Sequence, residues 1–304
     1  MAQSILKSII KLVKFRLSAS VAGSAIFGYI ISCKWNGNGI LSSNFDWAVM
    51  WGVFLGGMLL TFGSNGLNQV IEKENDAIMN RTSGRPLATG AMSPKFALIV
   101  SWLMALVGII ILQLFTTFAA TFAGILSFFI YVFLYTPLKQ TTPLSVMVGA
   151  IPGALPPLIG YLAFTGKLDY PGTLLFLVQF FWQFAHFWAI AWILHDDYQK
   201  VGYWMLPTKS GRSKSSASQI LIYTVILILS SMMPIYFVYK NIDMQNGILD
   251  ECKERGYELL IHPCQVKSER VFDEIADMVR KSRVAGLVLT PPFSEMPVVS
   301  ITVL

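Results

Sequence analysis

A segment rich in acidic and basic residues stands out in an apolar chain. Residues 68 to 85, NQVIEKENDAIMNRTSGR, contain three of the seven acidic side chains that precede position 240. Asn68, Glu72 and Asp76 are four residues apart, so on an α-helix they share one face with a drift of only about 40° per step. Carboxylate and amide oxygens suit Mg²⁺, which a substrate phosphate often completes. The spacing therefore predicts a magnesium site.

Two arginines follow the acidic residues at the same spacing. Arg81 and Arg85 are four residues apart, and Pro86 comes directly after them. Guanidinium groups beside a metal site favour a polyphosphate ligand, because they bind phosphate oxygens in bidentate geometry. The alternative interpretation is a solvated helix end with ion pairs between residues four apart.

A second segment joins an aromatic stretch to an acidic one. In FWQFAHFWAIAWILHDDYQKVGYWMLP, residues 181 to 207, His186 precedes Asp197 by eleven positions. If one helix continues through both, they lie on one face about 16 Å apart. Asp196 and Asp197 could then hold phosphate, and the aromatic part an apolar molecule. His186 is either a packed structural residue or a substrate contact, and Gln183 is its partner or a second contact.

Composition places both segments in a membrane protein. Of 304 residues, 54% are hydrophobic and 13% charged, which is too apolar for a water-soluble chain of this size. Runs long enough to cross about 30 Å of hydrocarbon lie near residues 15–33, 46–70, 95–115, 117–136, 143–163, 172–194 and 217–239. We therefore predict an all-α, multi-pass helix bundle with seven spans in the lipid bilayer. The GAIPGALPPLIG run, residues 149 to 160, predicts a broken helix that either lines a cavity or is an ordinary proline kink.

Charges near the span ends predict the orientation. The N-terminus and the connections 71–95, 137–142 and 195–216 are basic, with Lys139 in the second of these connections. Basic connections face the cytoplasm in most membrane proteins. Both polar segments are therefore expected at the cytoplasmic face of the cell membrane.

The chain changes character near residue 240. Residues 1–240 carry 16 basic and 7 acidic side chains, whereas 241–304 carry 7 and 10. Helical and strand-like patterns alternate in this tail. We predict a transmembrane body over 1–240 and a short, soluble-style βαβ fragment over 241–304. Because so few strands cannot complete a doubly wound sheet, the tail is not expected to be an independent domain.

Three stretches resemble one family in the same order. They are NQVIEKENDAIMNRTSGRPLATG, YTPLKQTTPLSVMVGAIPGALPPLIGY and WQFAHFWAIAWILHDDYQKVGYWMLPTKSG. They are similar to the signature regions of the protohaem IX farnesyltransferase (haem O synthase) branch of the UbiA-type intramembrane prenyltransferases, over about residues 5–240. The resemblance implies a bundle of nine transmembrane helices, Mg²⁺ as cofactor, farnesyl diphosphate as donor and haem B as acceptor. No nucleic-acid partner is expected.

The resemblance also implies roles for individual residues. The first Asp-rich motif of the family, which binds metal, matches Asn68, Glu72 and Asp76. The second acidic region contains Asp196 and Asp197, of which Asp197 is a further metal ligand. Positions near the diphosphate match Arg81, Arg85, Lys139, Tyr198, Lys209 and Arg212. His186 matches the candidate haem-side residue, with Gln183 beside it.

The tail resembles a different family. Residues 241–304 are similar to part of the sugar-responsive core of LacI/GalR-type transcription regulators, where two further transmembrane helices are expected. The tail is either an authentic fusion or, as we favour, the product of a chimera, and the chain as written is then expected to have little farnesyltransferase activity.

Two other functions of the chain stay open: a prenyltransferase for another aromatic acceptor, or a non-catalytic haem- or lipid-binding membrane protein.

Overall fold

The computed structural model describes residues 2–35 and 45–233, and within these ranges the chain is helical without strands. The helices are α1 Ala2–Leu12, α2 Phe15–Trp35, α3 Trp47–Ile71, α4 Lys73–Ile78, α5 Pro94–Phe115, α6 Phe118–Phe129, α7 Thr136–Leu138, α8 Ser145–Thr165, α9 Tyr170–Ile193 and α10 His195–Gln199, followed by α11 Lys214–Met233. Among the described residues, seven segments are long and apolar enough to cross a membrane: α2, α3, α5, the continuous Phe118–Leu138, α8, α9 and α11. The predicted helical bundle with seven spans is confirmed.

The last predicted span and the tail extend beyond the described residues. The seventh span begins at Lys214, three residues before the predicted start at 217. Positions 234–239 and the predicted βαβ fragment of 241–304 lie outside the described part of the chain. All described residues belong to one compact unit, Met1–Val238, and the domain boundary near 240 stays a prediction.

Helix α8 is the most enclosed span and packs against α2, α6 and α9. Glycines allow the backbones of α2 and α8 to touch: a Cβ on Gly28 would collide with the Pro157 carbonyl oxygen, and one on Gly160 with that of Ala25. Prolines within α8 remove backbone donors and leave carbonyl groups free. Two such carbonyls accept side-chain bonds, Pro152 O from Ser127 and Gly153 O from Gln183.

Helix α1 is fixed to α3 by a buried amide. Gln69 donates from Nε2 to the carbonyl oxygens of Leu12 at 2.7 Å and Lys11 at 3.1 Å. These are the last carbonyls of α1, which have no partner within the helix. The chain then turns at Lys14, whose φ of 48° is in the left-handed region, and enters α2. The Gln69 contact therefore sets where Lys14 lies.

The fourth span contains an irregular segment. Ile130–Tyr135 between α6 and α7 is π-helical, and the Thr136 N–H donates to the carbonyl of Tyr131, five residues earlier. Such wide turns are frequent at functional sites. Tyr131 and Tyr135 both line the large cavity of the bundle.

Two acidic residues outside the polar segments have structural roles. Asp46 accepts hydrogen bonds from the backbone N–H groups of Ala48 and Val49 at the start of α3, and Asp169 accepts one from Gly172 at the start of α9. A carboxylate at a helix N-terminus satisfies donors that the helix leaves free. The remaining five acids before residue 240 lie in the two segments singled out above.

Candidate active site

A cavity of about 600 Å³ lies inside the bundle and is polar at one end and aromatic at the other. The polar end contains two carboxylates and four cationic side chains: Glu72, Asp76, Lys14, Arg81, Arg85 and Lys139. The aromatic end is lined from α9 by Trp182, His186 and Phe187. Among the described lining residues the cations exceed the carboxylates by two, so the polar end is suited to an anion.

Two ion pairs organise the polar end. Lys139 Nζ lies 2.7 Å from Glu72 Oε1, and Arg85 Nη1 lies 2.6 Å from an Asp76 oxygen. Burial raises the pKa of Glu72, but the Lys139, Lys14 and Arg85 charges together outweigh burial and leave this pKa below its ordinary value. For Asp76 burial prevails over the Arg85 guanidinium, so its pKa is raised. Burial lowers the pKa of Lys139, but Glu72 together with Tyr131 and Tyr203 outweighs burial, so the pKa of Lys139 is raised.

The predicted metal-binding face is present, but not on one continuous helix. Helix α3 ends at Ile71 and α4 begins at Lys73, and Glu72 between them has φ −91° and ψ 9°. Helical hydrogen bonds nevertheless cross the break, from Glu72 N–H to Asn68 O and from Asp76 N–H to Glu72 O. The four-residue spacing therefore still directs all three side chains into the cavity. Asp76 is fully enclosed, with only 1% of the residue exposed.

Asn68 connects this face to two residues that the sequence did not single out for the site. Its Nδ2 donates to Thr136 Oγ1 at 3.2 Å, and its Oδ1 accepts from Lys14 Nζ at 3.3 Å. Thr136 in turn donates to the Tyr131 carbonyl at 2.8 Å. Burial, with the nearby Arg85 and Lys139 charges, lowers the pKa of Lys14 to about 7. The sequence signal for Lys14 was weak, since it was one of several basic residues before the first span.

The aromatic end contains the predicted histidine. His186 stacks on Trp182 with ring centroids 4.6 Å apart and 11° between the planes, and both side chains are exposed in the cavity wall. Gln183 is buried and donates to the Gly153 carbonyl at 2.8 Å. The observed hydrogen bond of Gln183 is to Gly153 and not to His186. The interpretation of Gln183 as the partner of His186 therefore does not hold. Gln183 does line the cavity.

The second acidic segment lies elsewhere. Helix α9 ends at Ile193 and α10 begins at His195, so the helix assumed to join His186 and Asp197 is interrupted. Tyr198 lines the cavity, whereas Asp196, Asp197, Lys209 and Arg212 are not among the described residues that line it.

Each of these four side chains has another environment. Asp196 is 78% exposed at its side chain and pairs with Arg212, which also donates to the Trp192 and Ile193 carbonyls at the end of α9. Lys209 lies in a separate, smaller cavity with its Nζ 5.9 Å from the Trp204 ring. Asp197 binds backbone N–H groups of the turn after α4, and their hydrogen bonds, with Lys200, lower its pKa although burial opposes this.

The donor set at the polar end fits a hard cation. No group of three His, Cys, Asp or Glu side chains suitable for a metal ion occurs in the described part of the chain. Glu72, Asp76 and Asn68 instead offer two carboxylates and an amide oxygen to one cavity. Mg²⁺ commonly takes only one or two protein carboxylates and completes its shell with water and substrate phosphate, so these residues suffice.

The fold and the site define an intramembrane prenyltransferase. The model of the UbiA prenyltransferase family matches residues 40–242, and the chain belongs to this family. A UbiA homologue from Archaeoglobus fulgidus, solved with GPP and Mg²⁺, has a TM-score of 0.62 at 12% identity, covering 90% of this chain and 96% of that one. A digeranylgeranylglyceryl phosphate synthase has a TM-score of 0.61 at 21% identity, with 76% and 78% covered. At such identities these structures support the fold alone.

Relatives with similar sequences have a more specific name within the prenyltransferases. The chain is 42% identical over 227 residues to the protoheme IX farnesyltransferase of Cytophaga hutchinsonii, covering 75% of this chain and 77% of the relative. It is 44% identical over 226 residues to the protoheme IX farnesyltransferase of Flavobacterium johnsoniae, covering 74% and 72%. The chain is therefore a multi-pass membrane enzyme of the prenyltransferase class. These two relatives carry the more specific name protoheme IX farnesyltransferase.

Proposed function

We propose that the chain transfers a farnesyl group from farnesyl diphosphate to a vinyl group of haem B in this cavity, which gives haem O. The observation that carries the proposal is the formal excess of two cations, beside three oxygen donors, at one end of an apolar cavity. An amphiphilic diphosphate has the matching distribution of charge. The names of the relatives support farnesyl as the group and haem as the acceptor.

The polar end would hold the diphosphate. Asn68, Glu72 and Asp76 would bind Mg²⁺, which supplies charge neutralisation of the leaving diphosphate when bound. Arg81 and Arg85 would contact phosphate oxygens through their guanidinium groups. Lys139 and Lys14 add positive charge beside Glu72 and Asn68. Together these side chains stabilise the charge that develops as the allylic C–O bond breaks.

The aromatic end would hold the farnesyl chain and the edge of haem. Trp182, His186 and Phe187 form an apolar wall that limits access of water to the farnesyl cation. The haem vinyl group attacks this cation, and one water then adds to the new carbocation and loses a proton to a second water, which gives the hydroxyethylfarnesyl side chain. The residues act by position and charge, so no covalent nucleophile is required.

We propose that the polar end faces the cytoplasm. The segments that supply its charges, at Lys14, residues 72–85 and Lys139, are the basic connections of the chain. Basic connections are retained on the cytoplasmic side during insertion. Labelling of a single cysteine introduced at exposed Glu74 in intact cells tests this orientation, and labelling by an impermeant reagent would contradict it.

An acceptor competition tests the function. Purified protein in lipid vesicles is given farnesyl diphosphate and Mg²⁺ with haem B, with an aromatic quinone precursor, or with both, and the products are identified by mass spectrometry. Haem O alone is expected. Prenylation of the quinone precursor would favour the alternative acceptor, and haem binding without any transfer would favour a non-catalytic protein. Addition of EDTA should stop transfer, and Mg²⁺ should restore it.

We keep the chimera as the interpretation of residues 241–304, which lie outside the described residues. The chain as written should then form less haem O than a version whose tail is replaced by two transmembrane helices of the family type. Equal haem O formation by both would contradict this interpretation, and it would leave the assignment of the cavity unaffected.

A further inference from the structure

The Asp197 carboxylate is engaged by the turn that follows α4. Its Oδ1 accepts hydrogen bonds from the Asn80 backbone N–H at 2.8 Å and from Lys200 Nζ at 2.9 Å, and its Oδ2 accepts one from the Arg81 backbone N–H at 3.1 Å. Within the described chain neither N–H group donates to another acceptor. Two successive peptide groups of the turn thus depend on one carboxylate.

This arrangement directs Asp197 away from the cavity. The next residue of α10, Tyr198, lines the cavity, and neighbouring residues on a helix point about 100° apart. Asp197 itself is not among the described residues that line the cavity. The arrangement therefore disagrees with the metal-ligand role that the family resemblance implied for Asp197.

The turn held by Asp197 carries part of the diphosphate site. Arg81 lines the cavity, with its Cζ 5.9 Å from the centre of the Tyr198 ring. The Thr82 hydroxyl donates to the Asp76 carbonyl at 3.0 Å, and the Arg85 N–H donates to the Thr82 carbonyl. The position of the turn therefore fixes the backbone from which the Arg81 and Arg85 side chains extend.

We infer that Asp197 is a positioning residue, which holds the Asn80–Arg81 peptide groups so that Arg81 and Arg85 are directed at the diphosphate, and that it does not bind metal. The inference rests on the proposed function for the identity of the anion. The links are two backbone hydrogen bonds to a carboxylate, which are stronger than bonds to a neutral acceptor. Lys200 balances the charge of that carboxylate by donating to the same oxygen, Oδ1, that accepts from Asn80.

Asp197→Asn is the first test, because it keeps the shape and replaces one acceptor oxygen with an amide donor. The KM for farnesyl diphosphate should rise about tenfold, the effect of losing one hydrogen bond to a charged group. The Mg²⁺ concentration for half-maximal activity should change less than twofold. Asp196→Asn is the matched control: it alters the adjacent, exposed carboxylate and should leave both quantities unchanged.

A metal-binding measurement without haem separates the two roles. Mn²⁺ replaces Mg²⁺, farnesyl diphosphate is added, and bound Mn²⁺ is measured by electron paramagnetic resonance. Asp197→Asn should bind Mn²⁺ with an affinity within twofold of the unmodified protein when farnesyl diphosphate saturates both. A tenfold loss of Mn²⁺ affinity under that condition would overturn the positioning role.

A second variant tests the turn from its other side. Asn80→Pro removes one donor and leaves Asp197 intact, and the extended conformation of Met79, with ψ 131°, suits a residue before proline. Positioning predicts that Asn80→Pro raises the KM for farnesyl diphosphate as Asp197→Asn does, and an unchanged KM would overturn it. If haem O is formed neither by the chain nor by the version with two family-type transmembrane helices in place of its tail, the proposed function fails, whereas Mn²⁺ and diphosphate binding still decide the role of Asp197.

Discussion

The two ends of the cavity are built differently. At the polar end each carboxylate pairs with a cation, and the Glu72–Lys139 pair joins residues 67 positions apart. At the aromatic end Trp182 and His186 come from one turn of one helix and stack on each other. Changes at the polar end should therefore disturb the fold as well as donor use, whereas changes at the aromatic end should disturb the acceptor alone.

The strongest test of this contrast is Asp76→Asn. We expect kcat to fall about a hundredfold or more, as for other groups that stabilise developing charge, because the variant removes a proposed metal ligand. Glu74→Gln is the control, since Glu74 is exposed and does not line the cavity. Haem O formation is measured over a range of Mg²⁺ concentrations. Near-normal activity at saturating Mg²⁺ would reject the metal assignment.

Lys139→Met tests the structural part of the polar end. The side chains of the Lys139–Glu72 pair are 10% and 6% exposed, and loss of one partner leaves a buried charge that costs about 3–5 kcal/mol of unfolding free energy. Unfolding in mixed detergent micelles gives this quantity. The double variant Lys139→Met with Glu72→Gln should recover most of the loss. No recovery would mean that Lys139 stabilises the fold through contacts other than Glu72.

Arg85→Ala tests whether the polar end affects use of the farnesyl donor without affecting use of the haem acceptor. The KM for farnesyl diphosphate should rise about tenfold or more, because a charge-assisted hydrogen bond to phosphate is lost. The KM for haem should change less than twofold. Steady-state kinetics with each substrate varied in turn measures both. Equal increases for the two substrates would place Arg85 in a general structural role.

His186→Ala is the matching change at the aromatic end. We expect the KM for haem to rise up to about tenfold, the size of an aromatic contact, and the KM for farnesyl diphosphate to stay the same. His195→Ala is the control, because His195 does not line the large cavity. An unchanged KM for haem would mean that His186 has only a structural role.

The smallest effect is expected at Thr136. Thr136→Val keeps the shape and removes the hydroxyl that accepts from Asn68, which should raise the half-saturating Mg²⁺ concentration about fivefold, as for one neutral hydrogen bond. Thr136→Ser should restore the original value. A Mg²⁺ titration of haem O formation measures the effect, and failure of Ser to rescue would show that the methyl group matters instead.

The features that followed from the sequence are local ones. Apolar runs gave the seven spans because burial in lipid acts on each segment by itself. The spacing of Asn68, Glu72 and Asp76 gave their common direction, because helical hydrogen bonds cross the break at Glu72. Arg81 and Arg85 followed from their spacing after the acidic residues, and Lys139 from the family resemblance, and all three line the cavity.

Contacts between distant segments could not be predicted in the same way. Lys14 reaches Asn68 only because Gln69 fixes α1 and the backbone turns at a left-handed residue. Asp196 and Asp197 are adjacent in the sequence, but Asp197 binds a distant turn and Asp196 is exposed. The interruption between Ile193 and His195 decides which residue of α10 faces the cavity, and no residue pattern marked it.

The π-helical segment Ile130–Tyr135 has a consequence for chain length. Ser127, Tyr131, Tyr135 and Lys139 all line the cavity at intervals of four, although in a regular α-helix each such step drifts by about 40°. The wider turn offsets that drift. If the same residues formed a regular α-helix throughout, Lys139 would lie about 120° from Ser127 around the helix axis. Deletion of one residue from the segment, with a return to regular α-helix, would bring the two residues back to within about 20° of each other. A homologous span that is one residue shorter here can therefore direct the same side chains into its cavity as a regular α-helix.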